Sequence, residues 1–252
     1  MSGIVVKVGS NVLTREDGTL DVTRVSSLVD QIAYLRSKGE EITLVTSGAV
    51  ACGRSILGSE GRDLDSVGQR QVFSAVGQVR LMDLYSTLFH NYGIKVGQVL
   101  TTKDNFRPGK AYENQKACME AMLGSGVLPI VNENDTVCIT ELMFTDNDEL
   151  SGLIAKMIGA HTLVILSNVE GIYDAAGKVI RRIGADDSLD GVIREGKSAA
   201  GRGGMQSKAA TARLAAAEGI RVIIACGKKD RILPEVIESS PQAVFTEFIP
   251  TI

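Results

Sequence analysis

The sequence predicts an α/β fold, a three-layer αβα sandwich built around a mainly parallel central sheet. Short runs rich in β-branched residues recur along the 252-residue chain, and longer segments with apolar residues at helical spacing separate them. The short runs are nearly all apolar, which is typical of strands covered by helices on both faces. No internal repeat, low-complexity tract or linker rich in Pro, Gly or Ser interrupts this alternation, so we expect a single domain over residues 1–252.

The individual elements follow from these two patterns. Short runs dominated by Val, Ile and Leu predict strands at residues 4–8, 42–46, 95–100, 128–131, 162–166 and 221–225. Apolar residues three and four positions apart predict helices at residues 22–37, 67–91, 112–123, 149–159 and 205–218. Glycines typical of helix stops lie near the ends of four of these helices, at Gly39, Gly93, Gly124 and Gly219. Residues 174–202 have weaker periodicity and are rich in Gly, Asp and Arg, so we expect a hairpin and mobile loops there, over one edge of the sheet.

Composition narrows the range of partners. The formal net charge of −3 leaves no basic excess for nucleic acid or anionic lipid. No apolar run approaches the ~20 residues of a membrane helix, and the first residues lack the pattern of a signal peptide. The four cysteines are far apart and form no C-x-x-C pair, so we expect reduced thiols in the core and no metal site. We therefore expect a cytoplasmic protein that binds small molecules, with no nucleic-acid or membrane partner.

Two lysines, one near a strand end and one near a helix start, lie where ligands of α/β sheets bind. Lys7 lies in an otherwise apolar strand and needs an anionic partner if it is buried. Gly203 and Gly204 open a helix that carries Lys208 in its first turn, so free backbone N–H groups and a positive charge would face an anion. Taken alone, the second pattern is also typical of a loop before an exposed lysine. Together, the two lysines predict a site that holds a phosphoryl group.

Two aspartates could complete this site. Asp146 and Asp148 flank Asn147 at a predicted helix start, where they could either cap the helix or fix the two lysines. His90 and His161 are the chain's two histidines and lie near helix ends, so histidine acid–base catalysis is not favoured. A phosphoryl acceptor that is already ionised, such as a carboxylate, needs no such base.

One glycine-rich run is similar to a phosphate-binding P-loop. The run GAVACGRS at 48–55 follows a strand, but Arg54 replaces the P-loop lysine. No later strand ends in the acidic residue that such enzymes place near magnesium. We therefore interpret this run as unrelated to P-loop chemistry, and a G-x-G-x-x-G dinucleotide motif is also absent.

Five runs together resemble the amino acid kinase family, essentially over the whole chain and in order. They are VKVGS at 6–10, VTSGA at 45–49, PIVNEND at 129–135, DND at 146–148 and GGMQSK at 203–208. The resemblance is strongest to those members that use L-glutamate. It implies an open αβα sandwich and transfer of the γ-phosphoryl group of ATP to the γ-carboxylate of L-glutamate, the first step towards proline.

The resemblance also implies roles for individual residues. Lys7 and Lys208 would stabilise the transferring phosphoryl group, and Asp148 would hold both ammonium groups. Glutamate would bind at Ser47, Gly48, Asp135 and Asn147. ATP would contact Lys7, Gly9, Ser167, Asn168, Arg202, Gly203, Gly204, Met205, Gln206, Ser207 and Lys208, and Mg²⁺ would be carried by the nucleotide phosphates. Ser167-Asn168 stands where the family often has Thr-Asp, and Arg202 where a small polar residue is common.

Several alternatives remain open. Another family member, such as an N-acetylglutamate kinase, shares the Gly-Gly-Met…Lys element, although its acylated substrate gives Asp135 no ammonium to bind. A non-catalytic amino-acid sensor on the same fold would not need both lysines. The family precedent favours a homo-oligomer and leaves open whether proline inhibits. Many bacterial relatives continue into a C-terminal PUA domain, whereas this chain stops at Ile252, so we expect a kinase domain without a PUA domain.

Overall fold

The computed structural model of the chain describes residues 3–60, 63–138, 144, 146–189 and 204–251. Its strands are β1 Ile4–Val8, β2 Ile42–Val45, β3 Val96–Thr101, β4 Leu128–Glu133, β5 Thr162–Ser167, β6 Arg182–Ile183, β7 Arg221–Cys226 and β8 Phe245–Phe248. Its helices are α1 Ser10–Leu13, α2 Val22–Ser37, α3 Ala49–Leu57, α4 Ser66–His90, α5 Lys110–Gly124, α6 Asn147–Met157, α7 Met205–Ala217 and α8 Ile232–Ile237, with a short 3-10 helix at Lys103–Phe106.

The strands form one sheet in the order β3-β4-β2-β1-β5-β7-β8-β6. Neighbouring strands run parallel except β7 and β8, which are antiparallel. Strand β1 lies near the middle, and Lys7 pairs with Val45 of β2 on one side and with Ile165 of β5 on the other. The predicted α/β class and mainly parallel sheet are thus confirmed, and Lys7 lies near the carboxyl ends of three adjacent strands.

Helices cover both faces of the sheet. Ile4, Val6 and Val8 of β1 belong to one apolar core, which also contains residues of α2, α4 and α8. Val5, which points to the opposite face, belongs to a second core with residues of α6 and α7. Because side chains alternate along a strand, Lys7 lies on the same face as Val5. The fold therefore directs Lys7 towards the layer formed by α6 and α7.

The structure differs from the expectations at the edges of the sheet. Strand β3 is an edge strand, and its Gln98 and Leu100 are exposed, so it is not covered on both faces. The hairpin expected from residue 174 onwards is a tight turn in which the Asp174 N–H donates to the Lys178 carbonyl, and the short strand β6 follows it. Residues 190–202 of that expectation lie outside the described part of the chain.

One further expectation, that all four cysteines lie in the core, needs correction. Cys118 is exposed, whereas the other three cysteines are buried as expected. It lies on α5, which flanks the edge strand and contributes a single fully buried residue, Met119. Within the described residues, no helix is long and apolar enough to cross a membrane.

Helices α3 and α4 approach each other unusually closely. A Cβ atom on Gly53 would lie 1.8 Å from the Phe73 carbonyl oxygen, and one on Gly77 would lie 1.8 Å from the Ala49 carbonyl oxygen. Only glycine allows such a backbone approach. Gly53, the second glycine of the P-loop-like run, therefore serves helix packing, in agreement with our interpretation of that run.

Candidate active site

A cavity of about 580 Å³ opens at the carboxyl ends of β1, β2, β4 and β5. Residues of β1, β4 and β5, of the loop after β2, and of α1, α3, α4, α6 and α7 line it. The structure brings ten of the predicted site residues to its walls: Lys7, Gly9, Ser47, Gly48, Asp135, Asn147, Asp148, Ser167, Asn168 and Lys208. Residues that are distant in the chain thus meet around one space.

The first feature of the cavity is a lysine–aspartate cluster, formed by Lys7, Asp148 and Lys208. One carboxylate oxygen of Asp148 lies 2.5 Å from Lys7 Nζ, and the other accepts a hydrogen bond of 2.8 Å from Lys208 Nζ. Asp148 is only 1% exposed. Burial alone would raise the pKa of Asp148, but the two ammonium groups outweigh it and lower the pKa below its ordinary value. The carboxylate is therefore ionised and holds two like charges side by side.

Local sequence explains why Asp146 and Asp148 differ. Asp146 is the N-cap of α6, and its Oδ1 accepts from the backbone N–H groups of Asp148 and Glu149 at 2.9 and 3.1 Å. Burial and then the nearby Asp148 carboxylate raise the pKa of Asp146, while the Ser207 hydroxyl opposes the shift. The sequence allowed two roles for this pair, helix capping and fixing of the lysines. In the structure, Asp146 caps the helix and Asp148 binds the lysines.

Asn147 ties the ends of two strands together. Its Nδ2 donates to the Thr46 carbonyl at 2.7 Å, to Ser47 Oγ at 2.8 Å and to Asn132 Oδ1 at 3.1 Å. Gly48 follows Ser47 with φ of 101°, a left-handed conformation that favours glycine, and α3 begins directly after it. These contacts fix the loop after β2 against the lysine–aspartate cluster.

The second feature is an arginine–carboxylate cluster, formed by Arg70, Glu133 and Asp135. Arg70 Nε donates to Asp135 Oδ1 at 2.7 Å, and Arg70 Nη2 donates to both that oxygen and Glu133 Oε2, the latter at 2.8 Å. Both carboxylates are buried. Burial raises the pKa of Asp135 to about 6, with Arg70 opposing the shift and Glu133 adding to it. Asp135, expected to face a substrate ammonium, is therefore already paired with a cation of the protein.

The remaining predicted residues lie on the β5 and α7 side. Gly9 donates its N–H to the Leu166 carbonyl at 3.3 Å, and a Cβ at this position would lie 3.5 Å from Lys7 Nζ. Ser167 Oγ contacts Asn168 Oδ1 at 3.3 Å. Gly204 is the N-cap of α7, and Met205, Gln206 and Ser207 form its first turn without lining the cavity. Arg202 and Gly203 lie outside the described residues.

The comparisons with known proteins assign the chain to a family. A sequence model described as "Amino acid kinase family" matches residues 2–226. The chain belongs to the amino acid kinase family.

Within the family, the chain is similar to proteins named glutamate 5-kinase. It is 58% identical to the one from Bacteroides thetaiotaomicron over 98% of this chain and 70% of that protein, and 48% identical to the one from Chlorobaculum tepidum over 92% and 65%. The one from Symbiobacterium thermophilum is 40% identical over 93% of this chain and 91% of its own length. The chain thus spans about two thirds of the first two relatives.

Two solved kinase structures share the fold. Carbamate kinase from Giardia lamblia bound to AMP-PNP superposes with a TM-score of 0.72 at 16% identity, over 99% of both chains. UMP kinase from Ureaplasma parvum gives a TM-score of 0.66 at 16% identity, over 99% of this chain and 100% of that one. At this identity, the likeness supports the fold alone.

Reasoning from the sequence missed several residues of the cavity. Arg54, Gln69, Arg70, Phe73 and Glu133 line it, but none had been assigned a role. Glu133 was visible inside the PIVNEND run. Arg54 and Arg70 lie on helices, where a charged residue is normally solvated, so no local signal pointed to the cavity.

Among the described residues, no group of three or more His, Cys, Asp or Glu side chains is arranged to hold a metal ion.

Proposed function

We propose that this chain transfers the γ-phosphoryl group of ATP to the γ-carboxylate of L-glutamate and forms L-glutamyl 5-phosphate. The observation that carries the proposal is the lysine–aspartate cluster in one cavity with a second, carboxylate-rich wall. The names of the similar proteins support the same reaction.

The chemistry requires little beyond positioning and charge. An oxygen of the γ-carboxylate attacks the γ-phosphorus, the bond to the bridging oxygen of ATP breaks, and its electron pair leaves with ADP. The acceptor carboxylate is already ionised, so no proton has to be removed. Lys7 and Lys208 stabilise the negative charge on the transferring group, because both are held at one side of the cavity by Asp148.

The nucleotide half of the proposal uses the β5 and α7 side of the cavity. Ser167, Asn168, Gly9 and Lys208 contact the nucleotide, and the N-terminal end of α7, which Gly204 caps, faces its phosphates. ATP enters as its magnesium complex, with the ion held by the phosphate oxygens.

The amino-acid half uses the walls formed after β2 and β4. Ser47, Gly48 and Asn147 position the γ-carboxylate next to the lysines. Asp135 binds the α-ammonium group. This role is supported by its burial beside Glu133, because two carboxylates that share one arginine attract a further cation.

The same buried carboxylates argue against an N-acetylated substrate. An acetylated amine carries no charge, so it would leave Asp135 desolvated without a partner from the substrate. The intact lysine–aspartate cluster argues against a sensor without catalysis. A homo-oligomeric state and inhibition by proline stay predictions, which light scattering and a proline titration would test.

The test is detection of the acyl phosphate. Incubation with ATP, magnesium, L-glutamate and hydroxylamine should form the glutamyl hydroxamate in proportion to the ADP released. The Asp83→Asn variant, altered at an exposed residue on α4, serves as the active control. ADP release without hydroxamate would show that the acceptor is not a carboxylate and would refute the proposal.

A further inference from the structure

Four basic side chains line the cavity, and one of them differs from the others. Lys7 and Lys208 bind Asp148, and Arg70 binds Glu133 and Asp135. Arg54 has no ion pair with any carboxylate of the described residues. A cation at a ligand cavity that has no acidic partner in the described part of the chain favours an anionic group on the ligand.

Helix α3 fixes where Arg54 lies. The helix begins directly after Gly48, and Val50, Ala51 and Arg54 line the cavity together because these positions share one helical face. The guanidinium carbon of Arg54 lies 5.9 Å from the centroid of the Phe73 ring. This cation–π contact keeps the exposed guanidinium beside Phe73, which also lines the cavity.

Helix α4 then places Arg54 near the arginine–carboxylate cluster. Phe73 follows Arg70 by three residues, so both project from the same face of α4 into the cavity. Gly53, adjacent to Arg54, packs directly on the backbone of Phe73. Arg54 therefore belongs to the same α3–α4 wall as the partner of Asp135.

We infer that Arg54 binds the α-carboxylate of the amino-acid substrate, so that the cavity recognises all three of its charged groups. This inference rests on the proposed function, which assigns the γ-carboxylate to the lysines and the α-ammonium to Asp135. The α-carboxylate is the remaining charge of glutamate, and Arg54 is the remaining cation of the described cavity wall. The planar guanidinium suits a carboxylate, because it can donate two parallel hydrogen bonds.

The experiment combines variants with truncated substrates. 4-Aminobutyrate is glutamate without the α-carboxylate, and glutarate is glutamate without the α-ammonium group. Kinetic constants are measured for Arg54→Gln, Arg54→Lys and, as a control, Arg80→Gln, whose exposed side chain pairs with Asp83 on the surface of α4. Turnover or competitive inhibition reports the binding of each truncated compound.

For Arg54→Gln, we expect kcat/KM for L-glutamate to fall about 10- to 100-fold, as for loss of one charged hydrogen-bonded contact. The loss should appear mainly in KM, and Arg54→Lys should recover part of it. The affinity for 4-aminobutyrate should be the same in Arg54→Gln and the unmodified chain, because this compound lacks the group that Arg54 binds. The affinity for glutarate should fall with that for glutamate.

Three results would overturn the inference. Unchanged glutamate kinetics in Arg54→Gln would make Arg54 a solvated surface charge. An equal loss for 4-aminobutyrate, or a loss in kcat alone, would show that Arg54 only supports the packing of α3. If the unmodified chain releases no ADP with L-glutamate, the proposed function itself fails and the inference with it, which is a distinct outcome.

Discussion

The Asp148→Asn substitution removes the charge that holds two lysines together while keeping the size of the side chain. A carboxamide offers one acceptor oxygen, and its NH₂ group would face the other ammonium. In the structure, Lys7 and Lys208 each occupy one oxygen of Asp148, at 2.5 and 2.8 Å. One lysine therefore loses its partner whichever way the amide turns.

The expected losses are large for both activity and stability. Removing one preorganised charge contact costs ~10²–10³ in kcat, and here one of the two lysines loses its contact. Breaking a buried ion pair by removing one partner costs about 3–5 kcal/mol, out of a total stability of about 5–15 kcal/mol for a typical domain. The variant should still fold, but it should unfold at a lower denaturant concentration.

The pH dependence of stability provides a second signature. The pKa of Asp148 is lowered in the folded chain, so the ionised carboxylate stabilises the fold above the ordinary aspartate value and this contribution is lost as the pH falls through the lowered pKa. The difference in unfolding free energy between the unmodified chain and Asp148→Asn should therefore have its largest value near neutral pH. It should shrink below about pH 4, near the ordinary aspartate pKa.

The assay pairs coupled ADP release with urea unfolding for Asp148→Asn and for the surface control Asp83→Asn. We expect kcat to fall at least about 100-fold in Asp148→Asn and to stay unchanged in the control. A folded Asp148→Asn variant that retained more than about a third of kcat would refute the reasoning. The lysines would then stabilise the transferring phosphoryl group without being held by Asp148.

Three further predictions concern the two lysines, Asp135 and the packing of α3 against α4. Lys7→Ala and Lys208→Ala should each lower kcat by ~10²–10³ with a smaller effect on glutamate binding, and a variant with kcat within threefold of the unmodified chain would exclude that lysine from the reaction. Asp135→Asn should lower kcat/KM for L-glutamate by ~10² and narrow the preference over N-acetyl-L-glutamate. It should also abolish the fall in kcat/KM that the unmodified chain should show below about pH 6, where Asp135 takes up a proton; persistence of that fall would assign it to another group. Gly77→Ala should destabilise the chain by ~1–3 kcal/mol or more in urea unfolding, since its Cβ would lie 1.8 Å from the Ala49 carbonyl oxygen, whereas Gly124→Ala meets open space, and equal stability of these two variants would contradict the packing argument.

Patterns in the sequence predicted the centre of the fold better than its periphery. The runs at 4–8, 42–46, 128–131 and 162–166 are continuous and apolar, and they form the buried central strands. Strand β6 has only two residues and β8 only four, so their existence depends on pairing with each other and with β7 rather than on a local pattern. Helix α3 was not predicted because it is short. Its Gly53 packs directly on the backbone of α4, so the helix does not follow the usual spacing of apolar side chains.

The site could be predicted where a buried charged side chain requires a partner of opposite charge. Lys7 in an apolar strand required a nearby anion, and Asp148 supplies it. Arg54 and Arg70 were not predictable in this way, because each stands on a helix whose sequence does not reveal which face meets the cavity. The partnership of Arg70 with Asp135 joins residues 65 positions apart and arises only from the packing of α4 against the end of β4.

The central claim is that the cavity phosphorylates the γ-carboxylate of L-glutamate, and a comparison of acceptors tests it most directly. Coupled ADP release is measured with L-glutamate, N-acetyl-L-glutamate, L-aspartate and carbamate under the same conditions. The account predicts the highest kcat/KM for L-glutamate. The kcat/KM for N-acetyl-L-glutamate should be lower by about 100-fold or more, because Asp135 then lacks a charged partner on the substrate. A higher kcat/KM for any of the other three acceptors would contradict the account.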